Sequence, residues 1–114
     1  MEINAVIAII RTEMLDRVET CLQQIGLEGI SISRVKGYGE YENFYSKDHM
    51  TTYVRLEIFT SESKAENIAR CIIGAAHSGL PDDGIVSILP VHKFYRIHTH
   101  VDQGSENTGK SETP

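Results

Sequence analysis

From Ile3 to Ile10 nearly every residue is apolar and several are β-branched, a pattern that predicts a central strand covered on at least one face. The run ends at Arg11-Thr12. Leu15, Val18, Leu22 and Ile25 then recur at three- and four-residue steps, predicting an amphipathic helix with Thr12 as its N-cap and Glu13 and Asp16 near its positive end. Gly26 stops it. Gly29 to Val35 alternates apolar and polar positions until Arg34 and Val35 reverse the order, which predicts a half-buried strand running out at Lys36-Gly37-Tyr38-Gly39.

Glu40 to Thr52 mixes charged, aromatic and small polar residues without a sustained period and reads as a long loop or irregular hairpin. Connections of that length in compact domains are usually functional or disordered. Tyr53 to Phe59 alternates again, with Val54, Leu56 and Ile58 on one face. Ala65, Ile68, Ala69, Ile72, Ile73 and Ala76 form the apolar stripe of a second helix, capped by Thr60 or Ser61, with Gly79 at the expected left-handed terminator. Leu80 to Gly84 is a turn, Ile85 to Leu89 a buried strand closed by Pro90, and Lys93 to Ile97 a short edge strand. From Val101 onward almost no residue is apolar, so residues 101–114 read as a disordered polar tail behind one domain, 1–100.

The order strand, helix, strand, long loop, strand, helix, strand is a doubled βαββαβ unit and predicts a ferredoxin-like α+β sandwich. Helices cover one face of its antiparallel sheet. Because both faces of the first strand are apolar, further subunits are expected on the other face in a closed cyclic assembly.

Composition narrows the setting. The 114 residues are 40% apolar, enough for one core, and 11 Lys+Arg against 16 Asp+Glu give a net charge of −5. That balance repels phosphate backbones, and no basic cluster is interleaved with aromatics, so nucleic acid is not an expected partner. The longest apolar stretch falls far short of a membrane span and no leader pattern precedes it, which points to a cytosolic protein without membrane insertion. Cys21 and Cys71 lie far apart in sequence and are expected as buried, reduced thiols.

No nucleophile elbow, phosphate-loop motif or Cys-x2-Cys pair occurs, so no enzyme is expected. Gly37-x-Gly39 and Asp82-Asp83-Gly84 are each a turn signal. Together they offer small residues through which backbone N–H groups can approach an anion, and Arg96 adds a bidentate charge.

At this point the sequence resembles the PII signalling proteins, trimers that bind adenine nucleotides between subunits and contact partners through a protruding loop. The resemblance is carried by Ala8-Ile9-Ile10-Arg11, Ile25 to Ser33, Val35 to Gly39, Ile73 to Gly79, Asp83 to Val91 and Tyr95 to Thr99. It implies that Ile9, Ser31 and Phe59 lie near an adenine and that Gly37, Tyr38 and Gly39 line the cleft at the loop base. It further implies that Asp82, Asp83 and Gly84 form the ribose and phosphate turn of the neighbouring subunit, with Arg96, and His98 when protonated, reaching the phosphates. The implied effector is an adenine nucleotide (ATP, ADP or AMP). The implied partner-binding loop includes Glu40, Tyr41, Phe44, Tyr45, Asp48 and His49.

The pattern departs from that family in its charges. Ile85 stands at the position of a phosphate-binding lysine, His98 at that of a second arginine, and Glu40 and Tyr41 at those of a basic and an amide residue. Less positive charge remains to offset a triphosphate, so Mg²⁺ and ATP are expected to bind weakly. The loop resembles that of members associated with heavy-metal efflux, which makes a membrane transporter the implied kind of partner. His98 and His100, at i, i+2 on one face of an extended strand, have a spacing that chelates a transition metal such as Zn²⁺ or Cu²⁺. A trimeric metal-binding protein of the copper-tolerance type is the alternative reading.

Overall fold

The structure, a computed structural model, describes residues 2–27, 29–39, 43 and 45–99, and the backbone of 101–102. Strand β1 (Ile3–Arg11) is followed by a 3₁₀ turn (Thr12–Met14), helix α1 (Leu15–Gln24), strands β2 (Ser31–Gly37) and β3 (Thr51–Ser61), helix α2 (Glu62–Ala76) and strand β4 (Gly84–Val91). Two short strands, β5 (Tyr95–Arg96) and β6 (Val101–Asp102), close the described chain. The main sheet is antiparallel in the order β2-β3-β1-β4, and the expected ferredoxin-like α+β fold is the one observed.

Strand alternation decides what each face does. Val6, Ala8 and Ile10 of β1 lie opposite Ile58, Leu56 and Val54 of β3, and all six are at most 1% exposed. They form the core with Val18 and Leu22 of α1 and with Ala65, Ile68, Ala69, Ile72 and Ala76 of α2. Both helices therefore cover the same face. The opposite face carries Ile3, Ala5, Ile7 and Ile9 on β1, Ile85 and Leu89 on β4 and Phe59 at one end of β3. Its half over β1 and β4 is apolar, whereas Ser31, Ser33, Arg55 and Glu57 make the half over β2 and β3 polar.

The helix ends differ from the sequence reading in instructive ways. Thr12 does not cap α1: the chain tightens into the 3₁₀ turn there, and Met14 takes the N-cap position without a side-chain hydrogen bond. Ser61 is the N-cap of α2, also without one. Gly26, at φ +82°, ends α1 in a Schellman arrangement in which Leu27 N–H donates to Leu22 C=O and Gly26 N–H to Gln23 C=O, each at 3.0 Å. Helix α2 stops earlier than Gly79 implies, with His77 already extended.

Cys21 and Cys71 are not free thiols. They are bonded to each other across the α1–α2 contact, with Cα atoms 6.2 Å apart. A separation of 50 residues in sequence does not keep them apart, because the two helices share one face of the sheet. Val101 and Asp102, at the head of the polar segment, pair with Arg96 and Tyr95. Residues 103–114 lie outside the described residues.

Candidate functional site

At one end of the sheet the C-terminal ends of β1 and β2 meet the N-terminal ends of β3 and β4. Gly37 pairs with Thr51, Arg11 with Tyr53 and Gly84 with Ile10. Both glycine-bearing turns, 37–39 and 82–84, thus lie at the same end of the sheet, on its two outer strands. Gly84 sits at φ +119°, and a Cβ there would overlap the Ile9 carbonyl oxygen. What requires glycine at position 84 is the close approach of β1 of the same chain.

The turn before Gly84 is already an anion nest. The Asp83 carboxylate accepts from the Ser78 N–H at 2.7 Å, from the Gly79 N–H at 3.1 Å and, in a short contact, from the Ser78 hydroxyl. These bonds, the Ser78 hydroxyl first, hold its carboxyl below the usual range. Asp82 faces Arg11, whose Nη1 lies 3.3 Å from Oδ1, and the other guanidinium nitrogen meets Glu13 at 3.0 Å. The N–H groups of residues 78–79 are taken by the chain's own carboxylate, so Asp83 holds the turn in shape.

Ile9, Ser31 and Phe59 share the uncovered face. They are spread along it: Phe59 pairs with Ala5, four residues from Ile9, or about 13 Å at strand rise. Phe59 is 48% exposed and meets Phe94 at 5.5 Å between ring centroids, and the Arg96 guanidinium lies 5.3 Å above the Phe94 ring. Arg96 is therefore at the Phe59 end of the sheet. The Gly84 turn is at the other end, five β1 residues away, or about 17 Å. One chain does not bring these groups together.

Beyond Gly37, Tyr38 is exposed at the loop base. The described part of the loop is tightly hydrogen-bonded. Asn43 N–H donates to His49 C=O at 3.0 Å, the Asn43 side chain bonds Tyr45 N–H and Met50 C=O, and His49 takes φ +58°. Asp48 accepts from Ser46 and from Met50 N–H and lies 2.5 Å from the Lys36 ammonium of β2. That ion pair, with the two hydrogen bonds, holds the Asp48 carboxyl well below its ordinary value. Tyr45 stands fully exposed at the crown. Glu40, Tyr41 and Phe44 lie outside the described residues.

His98 falls in the turn after β5, not in an extended strand, so the i, i+2 argument for a shared face with His100 does not hold; His100 itself lies outside the described residues. Among the described residues no three His, Cys, Asp or Glu side chains gather as a metal-ligand set. The ties of Arg11 to Asp82 and of Asp83 to Ser78 were missed in the sequence. Asp-Asp beside a helix end was the available signal.

Comparison with known proteins decides the family. The family described as "Nitrogen regulatory protein P-II" matches residues 3–101 of this chain. The chain belongs to the P-II family. Among P-II relatives, nitrogen regulatory protein P-II of Azospirillum brasilense is 30% identical over 99 residues, covering 81% of this chain and 88% of the relative. Nitrogen regulatory protein GlnK2 of Haloferax mediterranei is 32% identical over 104 residues, covering 85% of each. A crystal structure of Arabidopsis thaliana PII bound to citrate superposes with a TM-score of 0.75 at 30% identity, covering 89% of this chain and 88% of that one. The molecule is thus a PII-type nitrogen regulatory signalling protein. Among the described residues, no helix of this P-II chain is long and apolar enough to cross a membrane.

Proposed function

We propose that this P-II protein senses an adenine nucleotide in clefts between the subunits of a homotrimer and passes the signal to a partner protein through residues 40–52. The observation that carries the reading is the separation of the candidate site into two halves on one sheet. The Gly84 turn with the Gly37–Gly39 loop base stands at one end, and Phe59 with Phe94 and Arg96 at the other. A cleft that uses both halves needs the Gly84 end of one copy against the Arg96 end of the next. The apolar half-face of β1 and β4, with Ile85 63% and Leu89 46% exposed, supplies a reason for copies to associate.

In such a cleft Ile9, Ser31 and Phe59 would flank the base, and Tyr38 and the two loop-base glycines would border the phosphates. Asp82, Asp83 and Gly84 would present the turn, and Arg96, with protonated His98, the positive charge. Charge sets the preference among nucleotides. Asp82 and Asp83 are both on the turn, Asp82 is paired with Arg11, and Ile85 supplies no cation. Each additional phosphate therefore gains little, and a diphosphate or monophosphate is favoured over a Mg²⁺-bound triphosphate.

Loop control then follows from position. Gly37 ends β2 and opens the loop, and the preceding Lys36 holds Asp48. A ligand that favours one arrangement of 37–39 shifts the loop by its difference in affinity for the two arrangements, and about 1–3 kcal/mol of coupling suffices. The partner we infer is a membrane transporter, in keeping with the resemblance of the loop to members associated with metal efflux, and exposed Tyr45 is its anchor. Calorimetric titration with ATP, ADP and AMP, with and without Mg²⁺, tests the reading. Tighter binding of ADP or AMP than of Mg²⁺-ATP supports it, and no binding of any of the three at millimolar concentration overturns it.

A further inference from the structure

The covalent tie between the helices has no part in the signalling argument. Cys21 lies on α1 between buried Val18 and Leu22, and Cys71 adjoins buried Ile72 on α2. Both cysteines are half-buried at the seam between the helices. Neither residue is fully buried, so the bond lies at the helix seam outside the sealed core rather than within it.

Connectivity shows what the bond restrains. Five residues beyond Cys71, α2 ends at Ala76, and the chain passes directly into the turn that Asp83 closes on Ser78 and Gly79. Ten residues before Cys21, Arg11 leaves β1 and reaches Asp82 in that same turn. The α1 arm and the α2 arm are thus joined twice, once by the disulfide and once by a partly buried ion pair at 3.3 Å. With the disulfide intact, α2 cannot slide along α1, and the turn is carried on a fixed helix end. With it open, the packing of α2 and the Arg11–Asp82 pair are left to hold the turn.

We propose that Cys21–Cys71 is a thiol–disulfide exchange site whose redox state sets the rigidity of the Ser78–Gly84 turn. A thiolate of a small dithiol attacks one cysteine sulfur and the Sγ–Sγ bond breaks, leaving a mixed disulfide and one cysteine thiolate. The second thiol of the reductant then displaces the other cysteine. The reductant ends as its cyclic disulfide, two electrons enter the protein, and the two cysteines end as thiols with the two protons from the reductant. The inference deepens the proposed function by naming a regulation of the Gly84 turn, and rests on that reading only for the consequence to ligand binding.

The test uses the full chain without added ligand. Protein incubated with oxidised or reduced dithiothreitol is alkylated and weighed to count free thiols, and amide hydrogen exchange is followed in both states. Two thiols should become alkylatable only after reduction, and exchange of the 78–84 amides should rise about tenfold or more while the β1 and β3 core amides stay protected. The melting midpoint should fall by more than about 8 °C on reduction. The doubly substituted C21S/C71S protein should match the reduced state and ignore dithiothreitol, and the wild-type comparison decides the question if that variant does not fold. Two alkylated thiols in the oxidised sample, or equal exchange at 78–84 in both states, would overturn the proposal. Absence of nucleotide binding would overturn the proposed function and leave this result intact.

Discussion

The two faces of the sheet are built from alternate residues of the same strands, yet they solve different problems. On the helix side, Val6, Ala8, Ile10, Val54, Leu56 and Ile58 are sealed inside one chain. On the other side, Ile85, Leu89 and Phe59 are of similar size and remain open to solvent. A period of two makes the difference visible: one set finds its partners within 114 residues, and the other is left exposed by the single chain. The sealed face explains why the chain folds. The open face, bordered by the Gly84 turn at one end and by Phe59 and Arg96 at the other, is where a regulator's site can be assembled and disassembled.

The contrast should be largest in stability. Leu56→Ala, on the sealed face, should lower unfolding free energy by about 2–5 kcal/mol in denaturant titration. Ile85→Ser, on the open face, should change single-chain stability by less than about 1 kcal/mol while weakening association measured by sedimentation. If Ile85→Ser unfolds a single chain as severely as Leu56→Ala, the division between the faces is wrong. Gly84→Ala links the two faces, because its Cβ would meet the Ile9 carbonyl. It should cost about 1–3 kcal/mol through backbone strain and should displace the start of β4, seen as shifted amide resonances around residues 9–11 and 84–86.

Arg96→Ala tests the open face without touching the sealed one. A lost charge-assisted hydrogen bond of about 1.5–3 kcal/mol corresponds to a 10- to 150-fold weaker nucleotide affinity by calorimetry, with unfolding unchanged. Unaltered affinity would remove Arg96 from the site. The smallest effect concerns acid. Because the bonds from Ser78 and Gly79 hold the Asp83 carboxyl below the ordinary carboxylate range, they contribute fully at pH values above that range. The contribution is lost as the pH falls through that range and then through the depressed folded-state value. Asp83→Asn should therefore flatten the acid limb of the stability curve below about pH 4, read by circular dichroism.

Much of the fold was legible because the two hydrophobic periods are clean. The alternation of Val54, Leu56 and Ile58 and, in the helical stripe, Ala65, Ile68, Ala69, Ile72 and Ala76 mark residues that are now buried, whereas Ile73 of the same stripe is 53% exposed. Boundaries were less legible where a residue type misleads. Pro90 implied a stop, but β4 runs to Val91 as an edge strand, whose outer side makes no ladder bonds that a proline could break. Thr51, Thr52, Thr60 and Ser61 are polar, and β3 extends through them because β1 and β2 supply backbone partners.

The site was legible as motifs and not as contacts. Gly84 was marked by its Asp-Gly pair. The use of Asp83 as the turn's own anion, the pairing of Arg11 with Asp82 across 71 residues and the Cys21–Cys71 bond across 50 depend on which helix end meets which strand. No local pattern encodes those meetings. Likewise, the distance from Gly84 to Arg96 becomes evident only from strand register, which puts them at opposite ends of the sheet.

Light scattering of the full chain over a dilution series, with and without ADP, tests the central claim that the site exists only between copies. The account predicts a species of three chains, each of 12.8 kDa, at micromolar concentration, with ADP bound by that species and lost when dilution or Ile85→Ser dissociates it. A stable single chain of 12.8 kDa that binds ADP with undiminished affinity would contradict it.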